Sequence, residues 1–457
     1  MSSAKTIPTR AISAIVFYGL IALVLLTSVP YGTVEPWSQA AFQCAVFALG
    51  FLWCVHSMLK VRPLTPELRL FLPLIALVGF ALLQSLSWSQ STIAGVKVGN
   101  ALSSDPFESR IFALRLGALV LAAILAAHFT NSITRLSMLA NALIVVALLS
   151  AVFGIVRLTM QHGEGFVLPS LHWEGGFAQF INKNHFAFLI EPAVGLLIAM
   201  ILFRKNVGHR KLIYFSALIL LWAGLVMSRS RGGLLAVSMQ MIVAALFFIY
   251  ARANSTQDNR RSIGIAAISV FAILVAVVGT TVWLGGDQLS TGVETVTTEM
   301  ASGDENAVGA RRRDIWRATL QMARAHPIAG AGLGGYWAGI PAYHEASGVL
   351  SPQQGHNDYL ELLASGGLIG MALFGWFVVV LGQQIRRTLA TSTGIQRVFA
   401  VGAIIGIVGV GVHSLVDFGL HITCNALVFV MLLALLSVNR IDQRLETQAH
   451  RSAAFKL

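Results

Sequence analysis

Apolar runs of about 20 residues recur along the whole chain, and this feature constrains the fold most strongly. A helix of about 20 apolar residues is long enough to cross the hydrocarbon core of a bilayer. Only 11% of the residues are charged, whereas an average soluble domain carries about 25%. The sequence therefore predicts an all-α integral membrane protein with about twelve transmembrane helices. The predicted spans are 11–29, 40–58, 70–86, 111–129, 136–156, 185–203, 212–228, 233–250, 263–284, 367–382, 398–416 and 420–438.

The distribution of charge predicts the orientation of these spans. The net charge is +12, and 20 of the 32 Lys and Arg residues fall in segments that the alternating spans place on one side. Cytoplasmic loops carry such an excess of Lys and Arg. We therefore predict that both termini are cytoplasmic. The same rule, with membrane lipids as partners, explains the basic excess, so we expect no nucleic-acid partner.

One connection is much longer than the others and divides the chain into three parts. Residues 285–366 form an outer segment of 82 residues, between a first part with spans 1 to 9 (1–284) and a last part with spans 10 to 12 and a cytoplasmic tail (367–457). A loop of this length is usually functional or partly folded. Within it we predict an amphipathic helix at 310–325, a Gly-rich turn at 330–335 and a short helix at 356–364.

Basic residues on the outer side are not explained by the positive-inside rule. Arginine at a membrane surface is costly unless it is paired, which makes it a functional hypothesis. The clearest case is Met227–Gly233, in which Arg229 and Arg231 lie between two apolar runs. A guanidinium group can bind phosphate oxygens in two places, and glycines let a backbone approach a ligand. The alternative is a basic turn that reaches lipid headgroups.

A second arginine group, Arg311–Arg313 with Arg317, begins the predicted amphipathic helix. Arg313 and Arg317 are four residues apart and so share one helix face. These arginines are candidates for binding an anionic ligand. The alternative is a solvated face that is partnered by neighbouring acids such as Asp314.

Two histidine motifs are candidates for chemistry. His356 precedes the short helix of the loop, and histidine is the side chain best suited to take a proton near neutral pH. His413 and Asp417 are four residues apart on a predicted helix, where an interfacial hydrogen-bonded pair is one interpretation and a metal site another. No spacing matches a known metal motif, so we expect no metal.

Taken together, these motifs resemble the O-antigen ligase and O-antigen polymerase superfamily, the Wzy_C type of bacterial envelope glycosyltransferase. The resemblance is carried by Ser-Arg-Gly-Gly at 230–233, by Arg-x-x-x-Trp at 312–316 and by His-Asn-Asp-Tyr-Leu at 356–360. Segments 180–186 and 413–418 also resemble related chains. The resembling motifs extend over the C-terminal part of the chain, beginning near residue 180.

The resemblance implies a GT-C-like glycosyltransferase of the bacterial inner membrane that acts at the periplasmic face. It implies a metal-independent, inverting transfer without a cofactor, from an undecaprenyl-diphosphate-linked glycan to a glycan or a lipid A–core acceptor. The implied residues are His356 for acceptor activation, and Arg231, Arg229, Arg312 and Arg313 for the donor diphosphate. Secondary candidates, from the resembling segments, are Asn184, Lys183, His413 and Asp417.

Two functions from other classes remain open at this point. A secondary transporter or exporter of lipid-linked substrates also has about twelve spans, but such proteins usually show repeated halves and ionisable residues at the midplane. A lipid-binding scaffold without catalysis is the other. Within the enzyme class the sequence favours polymerisation of a surface polysaccharide over ligation to lipid A–core.

Overall fold

A computed structural model of the protein describes residues 6–59, 68–93, 96–163, 165–171, 175–204, 208–253, 312–344 and 352–438. These residues form an all-α membrane protein with one small β-hairpin. The helices are α1 (Thr6–Leu26), α2 (Pro36–Leu59), α3 (Leu72–Gln84), α4 (Pro106–Phe129), α5 (Ile133–Met160), α6 (Lys183–Phe203), α7 (Arg210–Ser228), α8 (Arg231–Ala253), α9 (Arg312–Ala325), α10 (Tyr336–Gly339), α11 (Asp358–Thr391), α12 (Gly394–His413) and α13 (Thr423–Ser437).

The described helices agree with the predicted spans. Nine of them are long and apolar enough to cross a membrane (α1, α2, α4 to α8, α11 and α12), and α3 and α13 are shorter apolar helices. Each of these corresponds to one predicted span. The remaining predicted span, 263–284, lies outside the described residues. The chain is therefore a multi-pass membrane protein.

The hairpin is a feature that the sequence analysis left as an outer loop. Strands β1 (Ser87–Ile93) and β2 (Val96–Ala101) pair antiparallel between α3 and α4, with Gln90 opposite Gly99. In β1 serines alternate with larger residues with period two, and β2 begins with the alternating run Val-Lys-Val. Such short alternating runs are easily missed between two long apolar helices.

Helix α6 lies at the centre of the bundle. Every residue from His185 to Met200 is buried, and the helix packs against α5, α7, α8, α12 and α13. Its contact with α12 is very close, because a Cβ atom on Gly195 would lie 2.5 Å from the backbone nitrogen of Gly406. Small residues allow membrane helices to approach in this way. The contact fixes the start of α6 beside the end of α12.

The described part of the long outer segment packs onto one end of the bundle. We call this the loop end: α6, α8 and α11 begin there and α7 and α12 end there. The predicted amphipathic helix is present as α9, with Ile315 and Met322 on its buried face. Leu320, another apolar residue of this helix, is 40% exposed.

The Gly-rich segment forms a turn, as predicted, and backbone hydrogen bonds attach it to the bundle. The Ala331 and Gly332 amides donate to the carbonyls of Ala364 and Ser365 at 2.9 Å each. The Gln84 side chain at the end of α3 accepts from the Leu333 amide at 3.1 Å. The outer segment is thereby held directly over the helix ends.

Helix α11 contains both the short loop helix and the tenth predicted span. The two parts meet at Gly367, which has φ +60° and ψ −159° and makes a kink inside the helix. The Leu368 amide donates to the Pro327 carbonyl at this point. The predicted boundary at 366–367 coincides with this kink, where Gly367 leaves the helical conformation and separates the two helical parts.

Candidate functional site

Five separate segments meet at the loop end and contribute polar side chains to one site. They are the start of α6, the turn between α7 and α8, the start of α9, the residue before the cap of α11 and the segment after α12. We call the group around Asp417 the Asp417 site. It brings together most of the residues that the sequence singled out.

Asp417 lies at the centre of this site, and its side chain is 1% exposed. Its Oδ2 accepts a hydrogen bond from the Asn184 side-chain amide and lies 3.5 Å from Nη2 of Arg312. Its Oδ1 accepts a hydrogen bond of 2.9 Å from the Phe418 amide. The same Oδ1 lies 3.4 Å from Nδ1 of His356. All four neighbours of the carboxylate carry an N–H group that can donate a hydrogen bond to it.

These neighbours keep Asp417 ionised. Burial by itself would raise the pKa of this carboxyl group, because it disfavours the charged form. The His356 side chain, the Phe418 amide and the nearby His185 outweigh this effect and lower the pKa of Asp417 to about 2. The site therefore contains a carboxylate next to His356 at every physiological pH.

His356 is held in a defined orientation by its surroundings. Its backbone is left-handed with φ +48°, which is uncommon for a non-glycine residue. The next residue, Asn357, caps α11 by accepting hydrogen bonds from the amides of Tyr359 and Leu360. The His356 ring meets the Phe418 ring edge-on at 4.8 Å. Because Nδ1 is buried against Asp417 and 29% of the side chain is exposed, Nε2 is the ring nitrogen left for a ligand.

Asn184 connects Asp417 to the turn between α7 and α8. Its side-chain oxygen accepts a hydrogen bond of 2.8 Å from the Ser230 hydroxyl, while its amide donates to Asp417. Ser230 in turn accepts from the Gly233 amide at 3.2 Å. Asn184, which was only a secondary candidate from the sequence, thus connects Asp417 to the turn that contains Arg229 and Arg231.

Cationic side chains are concentrated beside this link. Lys183 is close enough to Arg231, Arg229 and Arg312 for their charges to repel it. Arg229 and Arg231 are exposed, and the Arg312 side chain is 50% exposed. A group of positive charges that repel each other is stabilised by binding an anion. The arrangement suits a ligand that carries more than one negative charge.

Arg312 and Arg313 differ in their position. Arg312 contacts Asp417, whereas Arg313, the next residue of α9, is exposed. Successive residues of a helix point about 100° apart, so only one of two neighbours can face a given site. Of these two arginines, the geometry places Arg312 at the Asp417 site. Arg311 lies outside the described residues.

The two glycines after Arg231 have a packing role that differs from the predicted one. A Cβ atom on Gly232 would clash with Nε2 of His413, and one on Gly233 would lie 2.5 Å from Cβ of Ala187. No side chain fits at either position without a shift of the neighbours. The glycines therefore let α8 begin against α6 and the end of α12.

The expected pairing of His413 with Asp417 is wrong. Helix α12 ends at His413, so the two side chains do not share a helix face. Instead, Nδ1 of His413 lies 2.6 Å from Oε1 of Glu191, and both side chains are fully buried. Phe188 stacks on the His413 ring at 4.0 Å. His413 thus forms a pair with Glu191 inside the bundle, and its ring packs against Gly232 at the start of α8.

A second polar cluster lies behind His356, on the other side of Phe418. Nε2 of His421 is 3.5 Å from both Oδ1 of Asp358 and Oε1 of Glu361. Arg115 donates to the His421 carbonyl at 3.2 Å. Burial, the charge of Arg115 and His185 together lower the pKa of His421 to about 3. His421 is therefore neutral at physiological pH.

The low pKa of His421 predicts a pH dependence of stability. An unfolded histidine, with a pKa near 6.5, binds a proton before the folded His421 does, so His421 destabilises the fold as pH decreases from about 6.5 towards 3. We expect the apparent Tm of wild type to decrease relative to that of His421→Asn as the pH is lowered over this range. For one proton, the free energy of unfolding of wild type decreases relative to the variant by at most about 1.4 kcal/mol per pH unit. Thermal unfolding in detergent at several pH values measures it, and parallel curves for the two proteins would contradict the assignment.

Some outer arginines that were functional hypotheses have structural roles. Arg157 is 3% exposed and donates to Gln161 and to the carbonyls of Ala178 and Phe180 at 2.7–3.1 Å. Arg110 donates to Ser85. Their guanidinium groups fix loops of the chain itself. Outer placement in the sequence does not distinguish such residues from ligand-binding ones.

Three residues that contact the candidate side chains were not themselves candidates from the sequence. Glu191 interrupts an otherwise apolar run, and an acidic residue within a membrane span is itself a signal. Ser230 and Phe418 lie in the segments 230–233 and 413–418 that carry the resemblance, but neither was given a role there. Their roles depend on contacts between distant segments.

No group of three or more His, Cys, Asp and Glu side chains is placed to hold a metal ion in the described part of the chain. The expectation that the protein needs no metal remains a prediction.

Comparison with known families gives one match. Residues 215–375 match the Wzy_C family, whose description is O-antigen ligase. The matched region contains Arg229, Arg231, Arg312 and His356, whereas Asp417 lies outside it. No curated protein matches the chain.

Proposed function

We propose that this chain, a member of the O-antigen ligase/polymerase family, transfers a glycan from an undecaprenyl-diphosphate donor to an acceptor hydroxyl. We place the reaction at the periplasmic face of the bacterial inner membrane. The observation that carries the proposal is the His356–Asp417 pair, at 3.4 Å, beside a group of exposed arginines at the helix ends. This reaction requires a base for the acceptor hydroxyl and a group of cations that binds the diphosphate.

His356 acts as the general base in this proposal. A sugar hydroxyl is a weak nucleophile until a base takes its proton as the new bond forms. Nε2 of His356 accepts that proton, while Asp417 at Nδ1 orients the ring and stabilises the imidazolium that forms. Because Asp417 stays ionised, the pair is ready at neutral pH.

The arginines stabilise the leaving group. The acceptor oxygen bonds to the anomeric carbon, the bond from that carbon to the diphosphate oxygen breaks, and the diphosphate leaves with the electron pair. Its charge increases in the transition state, and guanidinium groups that are already in place stabilise it. Arg231, Arg229 and Arg312 supply these groups, with Lys183 beside them.

The stereochemistry follows from the two groups. The proposed base and the proposed diphosphate-binding arginines act at opposite ends of the reacting centre, so a single in-line displacement inverts the anomeric carbon. The charges of the arginines stand in for a metal ion, and the reaction proposed here needs no cofactor. The lipid tail of the donor explains why the cations lie at the ends of apolar helices.

The acceptor that we propose is a second lipid-linked glycan, which makes the protein a polymerase; lipid A–core is the alternative. Purified protein is incubated with an undecaprenyl-diphosphate oligosaccharide, with and without lipid A–core, and products are separated by size and by lipid. Longer lipid-linked chains without added core support the polymerase, whereas glycan that forms only on the core shows a ligase. No transfer in detergent or in membranes would contradict the proposal and favour a transporter.

The donor-binding role of Arg231 predicts that Arg231→Lys impairs transfer although the charge is kept. A lysine ammonium cannot make the two parallel hydrogen bonds of a guanidinium. A hydrogen bond to a charged group contributes about 1.5–3 kcal/mol, so we expect kcat/KM to decrease about 10-fold to 100-fold. Steady-state kinetics with varied donor measure this, and Arg324→Lys, on an exposed position of α9, is the matched control. Full activity of Arg231→Lys would refute two-point binding.

A further inference from the structure

Glu361 contacts the backbone directly before His356, the candidate base. It lies in the first turn of α11, and its Oε2 accepts a hydrogen bond of 2.6 Å from the amide of Gly355, the residue before His356. At 2.6 Å this contact is at the short end of the range for hydrogen bonds between an amide N–H and an oxygen. The Glu361 side chain is 7% exposed, so water does not compete with this contact.

The backbone at His356 needs such a contact. A left-handed conformation is strained for a non-glycine residue and persists only where the surroundings fix it. On the C-terminal side, Asn357 caps α11, and the Asp358 amide donates to the Ser414 carbonyl at 2.9 Å. On the N-terminal side, the described contact is the one from Gly355 to Glu361.

Glu361 is itself fixed from the opposite side. Its second oxygen, Oε1, lies 3.5 Å from Nε2 of His421, and Arg115 interacts with it electrostatically. Arg115 supplies a permanent positive charge to a cluster with two buried carboxyl groups, Asp358 and Glu361. A buried carboxylate needs such a partner and hydrogen bonds. The cluster therefore holds Glu361 rigidly against the turn.

We propose that Glu361 is the positioning residue of His356: it holds the Gly355 amide and so fixes the left-handed turn that presents the imidazole to Asp417. This inference rests on the proposed function, because it assumes that His356 is the base. Glu361 does not touch the reacting atoms. Its loss lowers the chemical rate and leaves donor binding unchanged.

Three variants of Glu361 separate its hydrogen bond from its ability to ionise. Glu361→Gln keeps an oxygen that can accept from Gly355 but cannot ionise. Glu361→Asp keeps a carboxyl group but is one methylene shorter, so it no longer reaches the Gly355 amide. Glu361→Leu loses both. Asp358→Asn is the comparison, because Asp358 contacts the same His421 but not Gly355.

Each variant is tested in the transfer assay beside wild type, with KM for the donor and apparent Tm measured on the same preparations. We expect kcat to decrease at least 10-fold for Glu361→Asp and Glu361→Leu at unchanged KM, and less than 5-fold for Glu361→Gln and Asp358→Asn. A variant that is poorly folded is recognised by its lower apparent Tm. The comparison of kcat between Glu361→Gln and Glu361→Asp then tests the inference.

The opposite order, with Glu361→Asp active and Glu361→Gln inactive, would overturn the inference and assign the effect to the charge beside Arg115. Wild-type kcat in all variants would overturn it as well. If the wild type itself transfers no glycan, the proposed function fails, and that outcome is distinct from an active wild type with active Glu361 variants.

Discussion

Replacing His356 with alanine is expected to lower the rate of glycan transfer by about 10²-fold to 10⁴-fold, the usual contribution of a general base. The variant leaves Asp417 and the arginines in place, so donor binding is retained. The measurement is kcat in the transfer assay together with binding of an undecaprenyl-diphosphate analogue. Loss of kcat with intact binding is the combination that identifies a base.

His162→Ala is the matched control for this experiment. His162 is an exposed histidine just after α5, and it has no contact with the Asp417 site in the described structure. We expect it to keep wild-type activity. If His356→Ala also retains most of its activity, His356 is not the base, and the site functions in binding alone.

Asp417→Asn is expected to lower kcat by about 10²-fold to 10⁴-fold, the range given above for loss of the base, because the carboxylate orients the catalytic histidine. The physical reason is the set of donors around the carboxylate. Oδ1 faces the Phe418 amide and His356, and Oδ2 faces the side chains of Asn184 and Arg312. An asparagine must turn its NH₂ group towards one of these donors, so one hydrogen bond is lost wherever the amide points.

The two orientations of the introduced amide have different effects, and both impair the reaction. An NH₂ group towards His356 favours the ring tautomer with the proton on Nε2, which cannot accept a proton from the acceptor. An NH₂ group towards Arg312 places two donors against each other and weakens the link to the arginines. Asp314→Asn, on the same turn of α9, is the control that removes a nearby charge without touching Asp417. Equal kcat in both variants would contradict the role of Asp417.

The helices of the bundle could be predicted from the sequence because the membrane imposes a local rule. Every backbone polar group in the hydrocarbon core must be paired within its own segment, so each apolar run is a helix that its own residues define. The eleven apolar helices described agree with the prediction for this reason. The amphipathic helix α9 is likewise a local pattern, since its buried residues recur every three or four positions.

The site could be predicted only as a set of residues. The motifs identified His356, Arg231 and Arg312, which the structure brings to one end of the bundle. Asp417 was assigned the wrong partner, because a spacing of four suggested a shared helix face. Helix α12 ends at His413, and the chain after it turns Asp417 towards Asn184, 233 residues away in sequence.

The sequence by itself determined that this chain crosses a membrane many times and which types of side chain flank its apolar runs, because hydropathy and charge act residue by residue. Only the tertiary structure decided which arginine of a run faces the site, which histidine meets Asp417 and why Gly232 has no side chain. Those outcomes depend on how helices pack against each other: the close contact of α6 with α12 places His413 beside Gly232, and the packing of α9 on α11 places Arg312.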